Sequence, residues 1–374
     1  MKPAILSHDA YLRAVTLRDL TDPAQGSHAI QQLIDRILTA LRTRWECEVI
    51  VHRAHPAVPV EHNYDRLHYP HGGAARDARY SRYVSETTVL RTQTSAMIPP
   101  LLASIAHHSP GDVLLACPGL VYRRDEIDRL HTGEPHQMDL WRVVRGRVGI
   151  PELREMVAVA MAAVFPGREY RLNAADHPYT TDGVEIEARA DGGGWVEVGE
   201  CGLALPAILD EAGLPAPDYS GLAMGLGLDR LLMLVKGMDD IRVLRSEDPR
   251  ICAQMLDLEP YRAVSGQPAI RRDLSIAVAA DRTPEELGDR VRQALGDRAE
   301  AVESIEVLSE TPYDEVPRQA RERIGMAAGQ KNVLVRLVIR DLVRTLTSAQ
   351  ANAVRDAVYA SLHEGTAWQW ASAA

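Results

Sequence analysis

The 374-residue chain contains one phenylalanine, Phe165, three lysines (Lys2, Lys236 and Lys331) and four cysteines. The cysteines, at positions 47, 117, 201 and 252, lie far apart and form no C-x-x-C pair. That spacing excludes a disulfide framework and a zinc ribbon, and leaves small buried hydrophobes. No apolar run reaches the roughly 18 residues of a membrane span, so no membrane partner is expected. Met1-Lys2-Pro3 lacks the charged-then-apolar design of a secretory signal, so a cytoplasmic setting is expected. A net charge of −10 excludes a global pull toward nucleic acid. With lysine this scarce, nearly every fixed cation is a guanidinium. That group suits bidentate phosphate binding, although a GC-rich coding sequence produces the same bias.

Apolar periodicity predicts a helix over residues 29–41, with Ile30, Leu33, Ile34, Ile37, Leu38 and Leu41 on one stripe and Ser27 as N-cap. Strands are expected at 48–52, 113–115, 120–123 and 140–144, and helices at 152–164 and 203–212. Residues 184–190 and 195–198 alternate apolar and polar around Asp191-Gly192-Gly193-Gly194, a hairpin signal. Residues 61–82 are polar and rich in His, Tyr and Arg, the mark of a functional irregular segment. Strands without βαβ alternation exclude a Rossmann sheet. Pro260, Ser265, Gly266 and Pro268 mark a linker at 259–268. The pattern then restarts: strand 274–279, helix 284–295, strands 302–308 and 333–339, helix 348–362, and a last strand near Trp368. That is the ferredoxin-like βαββαβ order. The expected class is α+β, with one antiparallel-sheet domain over residues 1–258 and a second domain over 269–374.

Three segments share a theme of arginine placed for phosphate. Tyr122-Arg123-Arg124-Asp125-Glu126 follows a strand, and His136-Gln137-Met138-Asp139 comes after it. Arg offers forked donors to phosphate oxygens, and a carboxylate accepts from an exocyclic amine. Gly225-Leu226-Gly227-Leu228-Asp229-Arg230 allows close backbone approach and sets Arg230 at a helix start, where the dipole favours anions. Leu90-Arg91-Thr92-Gln93-Thr94-Ser95 offers hydroxyl and amide groups for a small polar substrate. Each alone is weak; together, in this order, they are not.

In these segments the chain resembles class II aminoacyl-tRNA synthetases, and within them the phenylalanyl-tRNA synthetase family. VYRRDEIDRLHTGEPHQMD resembles motif 2, GLGLDR motif 3, Leu90–Ser95 the LLRTHTS segment, and Asn63-Tyr64-Asp65 the NFD segment. His177-Pro178-Tyr179-Thr180 lies where the family has Phe-Pro-Phe-Thr. IRRDLS at 270–275 and Arg344-Thr345-Leu346-Thr347 resemble its ferredoxin-fold anticodon-binding domain. The match runs over about residues 28–366, and its domain content resembles the organellar single-chain form.

The resemblance implies an antiparallel-sheet catalytic domain that activates phenylalanine or a close aromatic analogue with ATP and Mg²⁺ and transfers it to tRNA, as a monomer or homodimer. It places Arg123 on the α-phosphate, Asp125 on the adenine side, Gly227 at the nucleotide and Arg230 on the γ-phosphate. Ser95, Gln137 and Asp139 hold the substrate ammonium, with Gln93 beside them, and Glu197 is a metal ligand. His177 and Tyr179 face the substrate ring, and Ala223 matches the small residue that sets the depth of the ring pocket. Arg271, Arg272, Arg340 and Arg344 are candidates for tRNA phosphates.

The departures from the family cluster around the substrate. Gln93 replaces His, Asp139 replaces Glu, Pro135 replaces Phe and Leu140 replaces Gly. His177 and Tyr179 replace two phenylalanines, and Asp182-Gly183 replaces Pro-Ser. Either the pocket is polar for a different amino acid, or Tyr and His keep the aromatic contact with their polar ends satisfied elsewhere. Two further functions stay open. One is an amino-acid-activating ligase that acylates a small molecule or carrier protein; the other is a non-catalytic regulatory paralogue.

Overall fold

The computed structural model describes residues 5–77, 79–264 and 267–368. They form two units. The first holds residues up to Arg123, Glu134–Asp239 and Cys252–Tyr261; the second holds Arg124–Gly133, Asp240–Ile251 and the residues from Arg262 on.

The first unit is built on a seven-stranded sheet. Its strands are β1 (Glu48–Val51), β2 (Asp112–Leu120), β3 (His136–Arg145), β4 (Tyr170–Ala174), β5 (Thr180–Arg189), β6 (Trp195–Ala204) and β7 (Tyr219–Gly227). They run in the order β1-β2-β3-β7-β6-β5-β4. All neighbours are antiparallel except β1 and β2. Helices α1 (Ala29–Trp45) and α2 (Ile150–Val164) pack on each other, and α3 (Leu228–Lys236) follows β7 directly. The predicted α1 stripe from Ile30 to Leu41 is buried throughout. A small sheet of Ala57–Pro59, Thr88–Leu90 and Arg82–Tyr83, in that spatial order, is inserted between β1 and β2, with irregular backbone over much of residues 61–82. Among the described residues no helix is long and apolar enough to cross a membrane.

Local chemistry accounts for several differences from expectation. His28, not Ser27, caps α1, because its backbone is extended and its Nδ1 accepts the Ile30 N–H at 3.2 Å. The Ser27 carbonyl instead takes a bond from Arg18. Residues 113–115 and 120–123 are not two strands: β2 runs unbroken to Leu120 and stops there. Pro118 is tolerated because β1 ends opposite Ala116, leaving that side of β2 without a ladder to break. Leu203 and Ala204 end a strand rather than begin a helix, which starts at Pro206, a residue suited to a first turn.

The second unit contains β8 (Ile270–Ala279), α4 (Pro284–Leu295), β9 (Val302–Pro312), β10 (Gln330–Ile339) and α5 (Ser348–Leu362). Its sheet has the antiparallel order β8-β10-β9. Leu287, Val291 and Leu295 of α4 and Val354, Val358 and Leu362 of α5 share one core with the sheet. Ile127 of the 124–133 segment is buried in that core, and its carbonyl accepts the Ile305 N–H at 2.8 Å. A Cβ on Gly288 would collide with the Asp125 carbonyl at 2.6 Å, so only glycine lets α4 approach this segment. The expected final strand is not found at Trp368, and residues 369–374 lie outside those described, as do Ser265 and Gly266 of the expected linker.

One polar clamp ties the start of β3 to the start of α3. His136 is fully buried, and its backbone N–H and Nδ1 both bond to the Asp229 carboxylate, the ring bond at 2.8 Å. Because the Leu20 N–H donates to Nε2 at 3.2 Å, the ring proton sits on Nδ1. Asp229→Ala removes both acceptors from a buried site. It is expected to lower stability by about 3 kcal/mol. An unchanged urea unfolding midpoint would show that the clamp is not structural.

Candidate active site

Side chains directly opposite one another in a sheet share a face, so strand register alone defines the site. Gly225 on β7 pairs with Asp139 on β3 and with Glu200 on β6. Two residues on, Gly227 pairs with Gln137, and two residues back, Ala223 pairs with Trp141 and Gly202. One face of the sheet centre therefore carries Asp139 and Gln137 on one side, Glu200 on the other, and glycine between them. Among the described residues, chain neighbours apart, a Cβ built on Gly225 would meet Glu200 Cγ at 3.8 Å, and one on Gly227 the Val198 carbonyl at 3.7 Å, and nothing else within 4 Å. The glycines thus floor an open cradle.

Asp139 is 1% exposed; no donor meets its carboxylate oxygens in full hydrogen-bond geometry, and the Ser95 hydroxyl and Trp141 indole N–H lie beside them. Burial pushes its carboxyl up to about 7. The Ser95 hydroxyl beside it opposes that shift and the charge of Glu200 adds to it. Ser95 is itself buried, in the turn Thr94–Met97. Arg123 leaves the end of β2, held by a bond from its Nε to the Thr92 carbonyl at 2.7 Å, and its charge reaches Glu200 and Tyr69.

Glu200 accepts from the Tyr179 hydroxyl at 3.1 Å and pairs with His177 Nε2. That bond raises the His177 pKa against the cost of burial. Burial pushes Glu200 up, but His177 and the Tyr179 hydroxyl together hold it below the usual carboxylate range. Tyr179 stacks on Trp141 with centroids 6.3 Å apart and touches Tyr69 at 6.2 Å. Tyr69 donates to Gln93 at 2.7 Å, and Gln93 donates to the Asn63 carbonyl at 3.1 Å. Asn63 in turn exchanges bonds with Thr92. Gln93 therefore supports the site through Tyr69.

Asp182 and Gly183 form a bulge in β5, between Thr181 and Val184. Asp182 has φ +52, which proline cannot adopt, and a Cβ on Gly183 would collide with the Ala175 carbonyl. The bulge shapes the strand that begins right after Tyr179.

Arg230 stands in the first turn of α3 and bonds Glu197 Oε2 at 3.2 Å. Glu197 shares its face with Glu187 through a second register shift, and Glu185 is crowded by burial and by Glu197, Glu187 and Glu200, which raise its pKa. Among the described residues no group of three metal-ligating side chains occurs.

Register gathers Gln137, Asp139, Ala223 and Gly227 in the first unit, side-chain contacts and charge interactions bring Ser95, Arg123, His177 and Tyr179 to them, and Arg230 pairs with Glu197. Asp125 belongs to the second unit, where its carbonyl accepts from Arg292 at 2.6 Å. Sequence reasoning missed Glu200, Trp141 and Tyr69. Glu200 had one signal, an acid between two strand glycines, Gly199 and Gly202. Trp141 had another, a large ring two residues beyond Asp139 and so on its face.

The chain matches the family of tRNA synthetases class II core domain (F) over residues 14–255. The phenylalanine--tRNA ligase alpha subunit of Prochlorococcus marinus (strain MIT 9313) is 34% identical over 200 residues, covering 53% of this chain and 58% of that protein. The alpha subunit so described from Bacillus subtilis (strain 168) is 32% identical over 205 residues, covering 52% and 59%. The chain thus spans little more than half the length of the curated relatives it matches. A pyrrolysyl tRNA synthetase structure from Desulfitobacterium hafniense superposes with a TM-score of 0.45 at 14% identity, over 58% of this chain and 73% of that one, too loosely to add to the assignment.

The raised Asp139 carboxyl has two consequences of opposite sign. The folded chain holds a proton there up to about pH 7, whereas the unfolded carboxyl loses it near 3.8, so stability falls as pH rises through that window. The slope is at most about 1.4 kcal/mol per pH unit. Affinity for a cationic ligand moves the other way, rising with pH as the carboxylate forms and levelling off above about 7. Asp139→Asn is expected to flatten both profiles, read by urea unfolding and by ligand KM between pH 5 and 8.

Proposed function

The chain belongs to the family of class II tRNA synthetase core domains, and on that premise we propose that it activates an amino acid as its adenylate and passes the aminoacyl group to a tRNA 3′ end. The single observation that carries this reading is the buried Asp139 carboxyl over a glycine floor, whose lost proton an arriving ammonium would replace as partner.

In the first step a substrate carboxylate oxygen attacks the α-phosphorus of ATP, and the bond to the bridging oxygen breaks to release pyrophosphate. In the second, a ribose hydroxyl attacks the acyl carbon, and AMP leaves with the electron pair. The protein does little covalent work, so positioning and charge stabilisation dominate. Asp139, with Ser95 and Gln137, holds the ammonium. Arg123 neutralises the α-phosphate, where negative charge grows at the five-coordinate phosphorus. Arg230 binds the γ-phosphate from the helix start, Glu197 orienting its guanidinium at 3.2 Å. Mg²⁺, when bound, supplies charge neutralisation between phosphates and needs only one or two protein carboxylates. The crowded Glu185 and Glu197 fit that demand.

The relatives' names give phenylalanine as their own substrate, and the motifs with those names support tRNA as the acceptor here. One observation favours the second reading, a ligase with another acceptor. Three of the four arginines expected to meet tRNA phosphate are engaged within their own unit: Arg340 with Glu303 at 2.7 Å, Arg344 with Asp341 at 3.2 Å, and Arg272 with Asn352 at 3.0 Å. Exchange of pyrophosphate into ATP, run beside charging of total tRNA, separates the two: exchange without charging selects the ligase.

Arg230→Ala should slow ATP–pyrophosphate exchange roughly a hundredfold or more, since a charged phosphate contact is lost. Exchange near the wild-type rate in that variant would sink the assignment of Arg230.

A further inference from the structure

The part of the site that meets a substrate side chain is not shaped for a ring. Trp141 is 0% exposed and Ala223 1%, and Tyr179, packed with them, is 5%. Trp141 lies opposite Ala223 in the sheet and stacks on Tyr179 25° from parallel, so the protein's own indole and phenol pack over Ala223. The partly accessible groups around the cradle include Arg123, Gln137, His177, Thr180 and Glu200, with Gly225 beneath and the Tyr69 ring beside Tyr179. Apart from that ring, whose hydroxyl is bonded to Gln93, they are polar. Glu200 takes one bond from Tyr179 and one from His177, and a carboxylate has about four lone-pair sites, so acceptor capacity is left over. The Thr180 hydroxyl is buried without a partner.

We propose that this chain activates an amino acid with a short side chain ending in a hydroxyl or carboxamide, recognised by Glu200, His177 and Thr180, rather than phenylalanine. The proposal rests on the adenylation reading above and names the substrate class of that same site. Trp141 and Tyr179 stand where a substrate ring would lie, and Glu200 and His177 set specificity. The His177–Glu200 pair offers an acceptor and a donor side by side, which a hydroxyl or carboxamide uses and a phenyl ring leaves unpaired. A site built to hydrogen-bond its substrate discriminates against analogues lacking the polar group by up to roughly 10⁴-fold. The raised pKa of His177 agrees with a charged partner for Glu200.

The test is ATP–pyrophosphate exchange by the full chain with each of the twenty protein amino acids and homoserine. A hydroxyl or carboxamide amino acid should give the highest kcat/KM, at least a hundredfold above phenylalanine. Glu200→Gln, which keeps size and shape, should raise the KM of that amino acid at least tenfold while leaving the KM for ATP unchanged. Trp141→Leu should raise the relative use of phenylalanine. Phenylalanine, tyrosine or tryptophan ranking first overturns this proposal alone, as does alanine or glycine ranking first, or a Glu200→Gln ranking and KM identical to wild type. Absence of exchange with every amino acid overturns the adenylation reading itself.

Discussion

The chemistry of the first unit depends on the register of β7 between β3 and β6. A slip of one residue would turn every side chain to the opposite face. Asp139 and Glu200 would leave the glycine floor, and Leu226 would take the place of Gly225. The His136–Asp229 clamp guards against that slip. It joins the first residue of β3 to the first turn of α3, the helix that β7 feeds without a loop. Holding those two points together fixes which residue of β7 faces Asp139.

That register has an electrostatic consequence. Two carboxylates are brought over one floor, and they are treated differently. Glu200 is neutralised by His177 and Tyr179 from the start of β5. Asp139 has no counter-charge of that kind among the described residues and holds its proton to about pH 7. A buried carboxyl so placed is costly, and a folded chain keeps such a group where a ligand completes it. On the proposed reading, one acidic group is left for the common end of an amino acid and one ion pair for its variable end.

Much of the fold was legible in the residues. The α1 stripe, the hairpin around Gly193, the bounds of α4 and α5, and the helix after Gly227 all follow from periodicity or from local turn chemistry. The misreadings arose where a neighbour decided. The strands expected at 113–115 and 120–123 give way to one strand that runs through Pro118 to Leu120, because β1 has already ended beside it. Ser27 looked like a cap, but His28 was better placed. Leu203 read as helix because its apolar neighbours suit either period. In the site, motif spacing singled out Asp139, Arg123 and Arg230, whereas Glu200 and Trp141 had no motif to announce them. Phe165, the lone phenylalanine, sits at the end of α2 with Arg168 over its ring, away from the site.

By itself the sequence determined the family, the antiparallel character of the first unit and the residues proposed to meet phosphate and ammonium. These depend on short segments whose chemistry is complete in a few consecutive residues. Only the tertiary structure decided what surrounds the variable end of a substrate. Trp141, Tyr179 and Glu200 come from three strands or their approaches, and their contact follows from strand pairing across long stretches of chain. Pairing of that kind is set by burial and register summed over a whole sheet, and no short segment contains it.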